Sequence, residues 1–190
     1  MRLRRVFDAI RPTPEEVARE LPGDEIVPDA AVVMDRAFTL AGSPAEVWPW
    51  IVALGKRRGG WYLTRAVERA IPRSRRALRR LDPEFAGLAP GDVIPDWGGR
   101  DATFEVAVLE APRVLVHRST RGTTNLSWAI VLRDVGTPQA PQTRVALRLR
   151  LGPVRRKWLA KRAGGLIDAL TIAGLVGGLR ERLAEAGDRD

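Results

Sequence analysis

The sequence predicts an α+β domain in which a run of antiparallel strands is covered by one long C-terminal helix. Three observations carry this. Strand patterns follow one another between residues 93 and 151 instead of alternating with helices, as in an antiparallel sheet. The clearest strand, TRVALRLRL (143–151), puts Val145, Leu147, Leu149 and Leu151 on one face and Arg144, Arg148 and Arg150 on the other. The stretch from Val154 to Gly187 is one long helical pattern, or two broken near Gly164-Gly165. Between Leu166 and Leu179 it is apolar on nearly every side, so the rest of the chain is expected to bury it.

In chain order, residues 1–30 read as an extension ahead of the main domain, residues 31–187. Thr13-Pro14-Glu15-Glu16 has the form of a capping box and opens a short helix that stops at Pro22-Gly23. VVMDRAFTL (32–40) is a strand. Ser43-Pro44-Ala45-Glu46 is a second capping box, opening a helix that Gly55 closes. GKRRGG is a loop. WYLTRAVERAI (61–71) reads as a second helix and SRRALRR (74–80) as a third, short and basic. DVIPDW, ATFEVAVLE (102–110), RVLVHRS (113–119) and NLSWAIVLRDV (125–135) are the strands that precede 143–151. Gly152-Pro153 ends the last strand.

The bulk composition narrows the function classes. The chain has 190 residues, enough for one domain with a sizeable core. It has no cysteine, which removes thiolate nucleophiles and cysteine-ligated zinc. With one histidine and scattered carboxylates, no cofactor and no metal are expected. No apolar leader precedes the domain, and Asp168 interrupts the only apolar helix, so a soluble, cytoplasmic protein is expected. The net charge of +9 is carried by 32 basic residues, of which only Lys56, Lys157 and Lys161 are lysine. A solvated arginine-rich surface is the first reading of that charge, and nucleic acid is not the expected partner. Two basic clusters, 73–80 and 154–162, have the amphipathic form that contacts anionic membrane surfaces.

RAFTLAGSPAEVWPWIVALGKRRGGWY (36–62) resembles a segment of the small bacterial polyketide cyclase/dehydrase-like branch of the SRPBCC superfamily, relatives of START and pollen-allergen proteins. Ser43, Pro44, Val47, Trp48, Pro49, Trp50, Gly59, Gly60, Trp61 and Tyr62 carry the match. Leu88, Gly91, Asp92 and Trp128 fit as well, and TPEEVARELPGDEIVPD (13–29) resembles the lead-in of one branch. The resemblance spans nearly the whole chain. It implies a helix-grip fold, a curved antiparallel sheet wrapped around the long C-terminal helix. It also implies a cavity between them for a small hydrophobic or amphipathic ligand. Members share a cavity more than a reaction, so binding and cyclase/dehydratase-type catalysis both stay open.

The candidate site residues follow from that layout. Phe104, Trp128, Ile130 and Leu147 are placed on the inner face of the sheet, with Val106 and Val108. Leu170, Gly174 and Gly177 are placed on the facing side of the helix, their small side chains leaving volume for a ligand. The same residues can equally pack as a dry core. His117 is a candidate polar anchor or acid–base group, because an unperturbed imidazole titrates near neutrality; a satisfied strand histidine is the plainer alternative. Arg36, beside inward Phe38, and Arg100, in the DWGGRD loop with Trp97, are candidate anchors for a ligand carboxylate. Trp61 and Tyr62 can offer hydrogen bonds from an otherwise apolar wall. No Gly-x-Ser-x-Gly, Walker or dinucleotide motif is present.

Overall fold

A computed structural model describes residues 7–154 and 164–187. Six strands form one antiparallel sheet: β1 (Val32–Ala41), β2 (Val93–Pro95), β3 (Thr103–Glu110), β4 (Val114–Arg121), β5 (Thr124–Asp134) and β6 (Gln142–Gly152). Their spatial order is β1-β6-β5-β4-β3-β2. Every neighbouring pair except β1–β6 is consecutive in sequence, which is why tight turns suffice to join them. The helices are α1 (Pro14–Ala18), α2 (Pro44–Ala53), α3 (Arg65–Glu68) and α4 (Gly165–Gly187). This is the helix-grip arrangement, with α4 and α2 against the inner face of the sheet. The stretch 155–163, with most of the basic cluster and the expected onset of the last helix, lies outside the described residues.

Both capping boxes form. The Thr13 hydroxyl accepts from the Glu16 N–H while the Glu16 carboxylate accepts from the Thr13 N–H, and Ser43 and Glu46 repeat the pattern. Two expected helices do not. The predicted 61–71 helix shrinks to the four residues of α3, because Trp61 to Thr64 runs non-helically across the flank of α4. The expected 74–80 helix is a single 3-10 turn, Arg73–Arg75. There the Leu78 N–H bonds the Gly59 carbonyl and Arg79 turns inward onto Glu68, while Arg73, Arg75, Arg76 and Arg80 stay exposed as the solvated reading expects.

The main core fills one end of the inner face. Phe38 and Leu40 of β1, Leu115, Ile130, Leu132, Val145 and Leu147 of the sheet, Trp50 and Ile51 of α2, Tyr62, and Ile172, Leu175, Val176 and Leu179 of α4 are buried together. A bulge in β3 between Val106 and Val108 shifts its phase. Val106 and Leu109 therefore face the core, while Val108 joins Val114, Val116 and Ala129 on the opposite face. The inward placing of Val108 is corrected accordingly.

The arginine face of β6 is not solvated. Arg148 is 4% exposed and donates to the Asp35 and Asp24 carboxylates and to the carbonyls of Arg19 and Val17. Arg144 pairs with Glu16, and Arg150 donates to the Val27 and Pro28 carbonyls. Residues 16–28 are thus held across the outer face by three arginines on one face of one strand. Of the described helices, none is long and apolar enough to cross a membrane.

Candidate functional site

The inner face carries cross-strand rows fixed by register. One row runs Met34 (β1), Leu149 (β6), Trp128 (β5), His117 (β4) and Val106 (β3). The next row toward the open end includes Leu151 and Leu126. Two residues the other way, Arg36, Leu147, Ile130 and Leu115 form a row that belongs largely to the packed core. The first two rows are not filled by α2 or Tyr62. Apart from Val106, which is packed in the core, they floor a cavity of about 420 Å³, in the size range of small-molecule sites.

Its roof is the start of α4: Gly164, Ile167, Asp168, Thr171 and Ile172, a stripe at helical spacing. Its sides are Leu54, Gly55 and Trp61 from the region after α2, Ile94 to Trp97 from β2 and the loop after it, and Phe104 and Arg121. Aromatic rings dominate. Trp61 stacks on Trp128 at 6.2 Å and meets Trp97 edge-on at 6.2 Å. His117 stacks on Trp128 at 5.6 Å and lies 5.5 Å from Phe104.

Ionisable groups enter this wall at three places. The Asp96 carboxylate accepts from the Arg121 guanidinium, which also lies over the Phe104 ring. Asp168 faces Arg36, whose Nε is 2.9 Å from Asp168 Oδ2 without aiming its N–H at it. Arg36 donates instead to the Asp35 and Gly165 carbonyls. Burial raises the Asp168 pKa above the ordinary carboxylate value, with Arg36 opposing. The third group is His117, 5% exposed, with Nδ1 buried and without a hydrogen-bond partner. Burial pushes its pKa down to about 4, with Arg58 adding to the effect and Asp96 opposing it. The imidazole is therefore neutral at pH 7, one nitrogen a donor and the other an acceptor.

The neutral histidine makes stability depend on pH in a definite direction. The unfolded chain takes up this proton near pH 6.5 and the folded chain only near about 4. Its contribution is complete above about pH 6.5 and is lost as pH falls toward 4, on the order of 3 kcal/mol at about 1.4 kcal/mol per pKa unit. Glu16, held at about 2 by its hydrogen bond from Arg144, loses its own contribution at lower pH, between about 4.5 and 2. Urea unfolding at a series of pH values should show the first loss in the native chain and not in His117→Phe. An identical slope in both would exclude His117 as its source.

The structure brings five of the sequence-predicted residues to the cavity wall: Trp61, Trp97, Phe104, His117 and Trp128. Others lie elsewhere. Phe38, Ile130 and Leu147 belong to the packed core, one row or more beyond the cavity floor. Tyr62 is fully buried, donating its hydroxyl to the Trp50 carbonyl. Arg100 is exposed and does not line the cavity. Arg36 stands behind Asp168, which is the group facing the cavity. The expected helix face is rotated by about a third of a turn from the cavity stripe: Leu170 is 50% exposed, and Gly174 and Gly177 abut the side chains of Leu63 and Thr64. Sequence reasoning missed Arg121, Asp168 and Thr171; Asp96 belongs to the DWGGRD loop that it set at the pocket mouth. The polar pair Asp168 and Thr171, three apart in an apolar helix, was the available signal for the true cavity stripe.

No family model matches the chain, and no curated protein matches it. Solved structures with a similar chain path include a protein from Rhodobacter sphaeroides at 18% identity, covering 83% of this chain and 95% of that one with a TM-score of 0.49. CalU16 from Micromonospora echinospora is 15% identical over 83% and 84% of the two chains, with a TM-score of 0.47. A point mutant of norcoclaurine synthase from Thalictrum flavum, in complex with a transition-state analogue, is 11% identical over 82% and 96%, with a TM-score of 0.45. These similarities assign no role to any residue of this chain.

Proposed function

We propose that this chain is a helix-grip binding protein for a small, uncharged, largely aromatic molecule, held between the sheet and the first turns of α4. The observation that carries the reading is the composition of the cavity of about 420 Å³. Four large aromatic side chains, Trp61, Trp97, Phe104 and Trp128, share its wall with only a few polar groups. Both carboxylates in the wall face an arginine and the imidazole is neutral, so no net charge asks for a counter-ion. A flat ring system satisfies such a wall by stacking. One hydroxyl or carbonyl on it can meet His117 or Asp168. Titrating the purified protein with 2-naphthol, read by tryptophan fluorescence, should show saturable binding. Trp128→Ala should weaken it by about tenfold or more, removing a stacking face at the cavity centre. Native mass spectrometry checks for a carried ligand. Failure of 2-naphthol and other aromatic probes to saturate, with no carried molecule, ends this reading.

A second reading is favoured by one further observation. The cavity holds a neutral imidazole with an unpartnered nitrogen and a carboxyl group whose protonated form burial favours. Two groups pushed apart in this way suit acid–base chemistry on a hydroxy-carbonyl compound. The imidazole would accept the proton α to the carbonyl, the Asp168 carboxyl would protonate the departing hydroxyl, and water would leave. Turnover of such a compound that survives both His117→Ala and Asp168→Asn excludes these roles.

A further inference from the structure

The hydrogen-bonding groups of the cavity wall sit at its two sides. His117 belongs to β4, and Asp168 lies against Arg36 of β1. In the strand order β1-β6-β5-β4 those two strands are three spacings apart, about 14 Å between backbones. Side chains that reach inward from both strands shorten that span to the length of a two- or three-ring system. The floor between them is apolar and aromatic: Leu149 and Leu151 of β6, Leu126 and Trp128 of β5. Over that centre Trp61 stacks on Trp128, and Thr171 commits its hydroxyl proton to the Ile167 carbonyl. At both sides buried polar atoms lack a hydrogen-bond partner among the described residues. His117 Nδ1 is one, on a side chain 5% exposed, and Asp168 Oδ2 is another. Arg121 Nε is a third, on the His117 side, where the same guanidinium also holds Asp96. Buried polar groups are paired as a rule, so unpartnered ones on two sides of one cavity mark where a bound molecule supplies partners.

We infer that the ligand carries two hydrogen-bonding groups, one at each end of a flat two- or three-ring system, and that His117 and Asp168 select it. The inference rests on the aromatic-binding reading of the cavity and narrows it. A hydroxyl serves at both ends, since it donates to a carboxylate and either donates to or accepts from an imidazole. A molecule with both groups at one end leaves a buried atom at the other unpaired, which costs about tenfold in affinity or more.

Three probes of one ring size test this by titration calorimetry: 2-naphthol, 2,3-dihydroxynaphthalene and 2,6-dihydroxynaphthalene. The 2,6-diol should bind the native chain about tenfold more tightly than 2-naphthol, and the 2,3-diol, with the same two hydroxyls on adjacent carbons, should stay within about threefold of 2-naphthol. This series needs no variant to fold. His117→Phe and Asp168→Ala should each bring the 2,6-diol down to the level of 2-naphthol. Affinity for 2-naphthol itself should change by less than about threefold in either variant, because its one hydroxyl can turn to the end that remains. A merely structural loss would weaken all three probes together. Equal affinity for the two diols overturns the inference and leaves the aromatic-binding reading standing. A preference for the 2,6-diol that survives both variants overturns the roles of His117 and Asp168. If none of the three probes saturates the native chain, the binding reading falls and this inference with it.

Discussion

Replacing Arg182 with methionine lowers the folding stability by about 3–5 kcal/mol, the range seen when one member of a buried charge network is removed. For a chain of this size that is a fall of roughly 10 °C in melting temperature. Arg182 is fully buried in the second turn from the end of α4. Its guanidinium donates to the carbonyls of Leu78 at 2.7 Å, Leu63 at 3.0 Å and Gly178 at 2.9 Å, and to Glu68 at 2.7 Å, and it lies 4.6 Å from the centre of the Tyr62 ring. Methionine fills much of the volume but leaves the Leu78 carbonyl without its donor, while the Leu63 carbonyl keeps Arg79 and the Gly178 carbonyl keeps its helical N–H. Each unsatisfied buried acceptor costs about 1–3 kcal/mol. Glu68 itself keeps Arg79 at 2.7 Å, so it is not stranded.

The same geometry predicts strong coupling. Glu68→Gln removes the countercharge of Arg182 and costs stability alone, but Arg182→Met/Glu68→Gln should cost clearly less than the sum, by about 1–3 kcal/mol. Denaturant unfolding of the four proteins of this cycle decides it. Additive losses, or a loss below about 1 kcal/mol for Arg182→Met, would show that the network is not what fastens α4 to the 62–79 segment. Because Trp61 precedes that segment and donates its indole N–H to the Thr171 carbonyl, loosening it should also weaken the aromatic wall of the cavity.

The fold was legible because local and global signals agree. Capping boxes at Thr13 and Ser43, period-two alternation in β6 and one long terminal helix each name a single element. The site was legible only where the sheet builds it. Alternation and hairpin register placed His117, Trp128 and Phe104 on one face without knowledge of the helix. The α4 contribution was misread because an apolar helix bearing glycines has no unique face in its pattern. The partner that decides its rotation, the Trp61–Thr64 segment, reads as helix in sequence. Arg148 and Arg182 show the complementary failure. Arginine reads as surface, and these two are buried because carboxylates and carbonyls from distant segments converge on them. The β3 bulge, which re-aims Val108, leaves no trace in composition.

The glycines of α4 give the second large effect, and it falls on Gly178, where another backbone approaches closely, rather than on Gly174 or Gly177. A Cβ on Gly178 would lie 2.4 Å from the Tyr62 carbonyl carbon, 2.5 Å from the Leu63 nitrogen and 2.6 Å from the Tyr62 oxygen. These are backbone atoms of a segment pinned by Arg182 and by the buried Tyr62 hydroxyl, so neither side yields cheaply. Gly178→Ala should lose about 2 kcal/mol or more, in spite of the roughly 1 kcal/mol that alanine gains over glycine in a helix interior. At Gly174 and Gly177 the added Cβ meets only Leu63 Cδ2 at 2.8 Å and Thr64 Cγ2 at 2.9 Å, side-chain ends at the edge of the contact. There the propensity gain and the crowding nearly cancel, and each alanine variant should stay within about 1 kcal/mol of the native chain. Thermal unfolding of the three single variants ranks them. If all three fall equally, helix rotation is set by crowding along the whole stripe; if Gly178→Ala is neutral, the close approach of α4 to the 62–63 backbone is not what holds the roof of the cavity in place. Binding of 2-naphthol should survive Gly174→Ala and Gly177→Ala unchanged, because the space these residues leave is filled by Leu63 and Thr64 and lies outside the cavity wall.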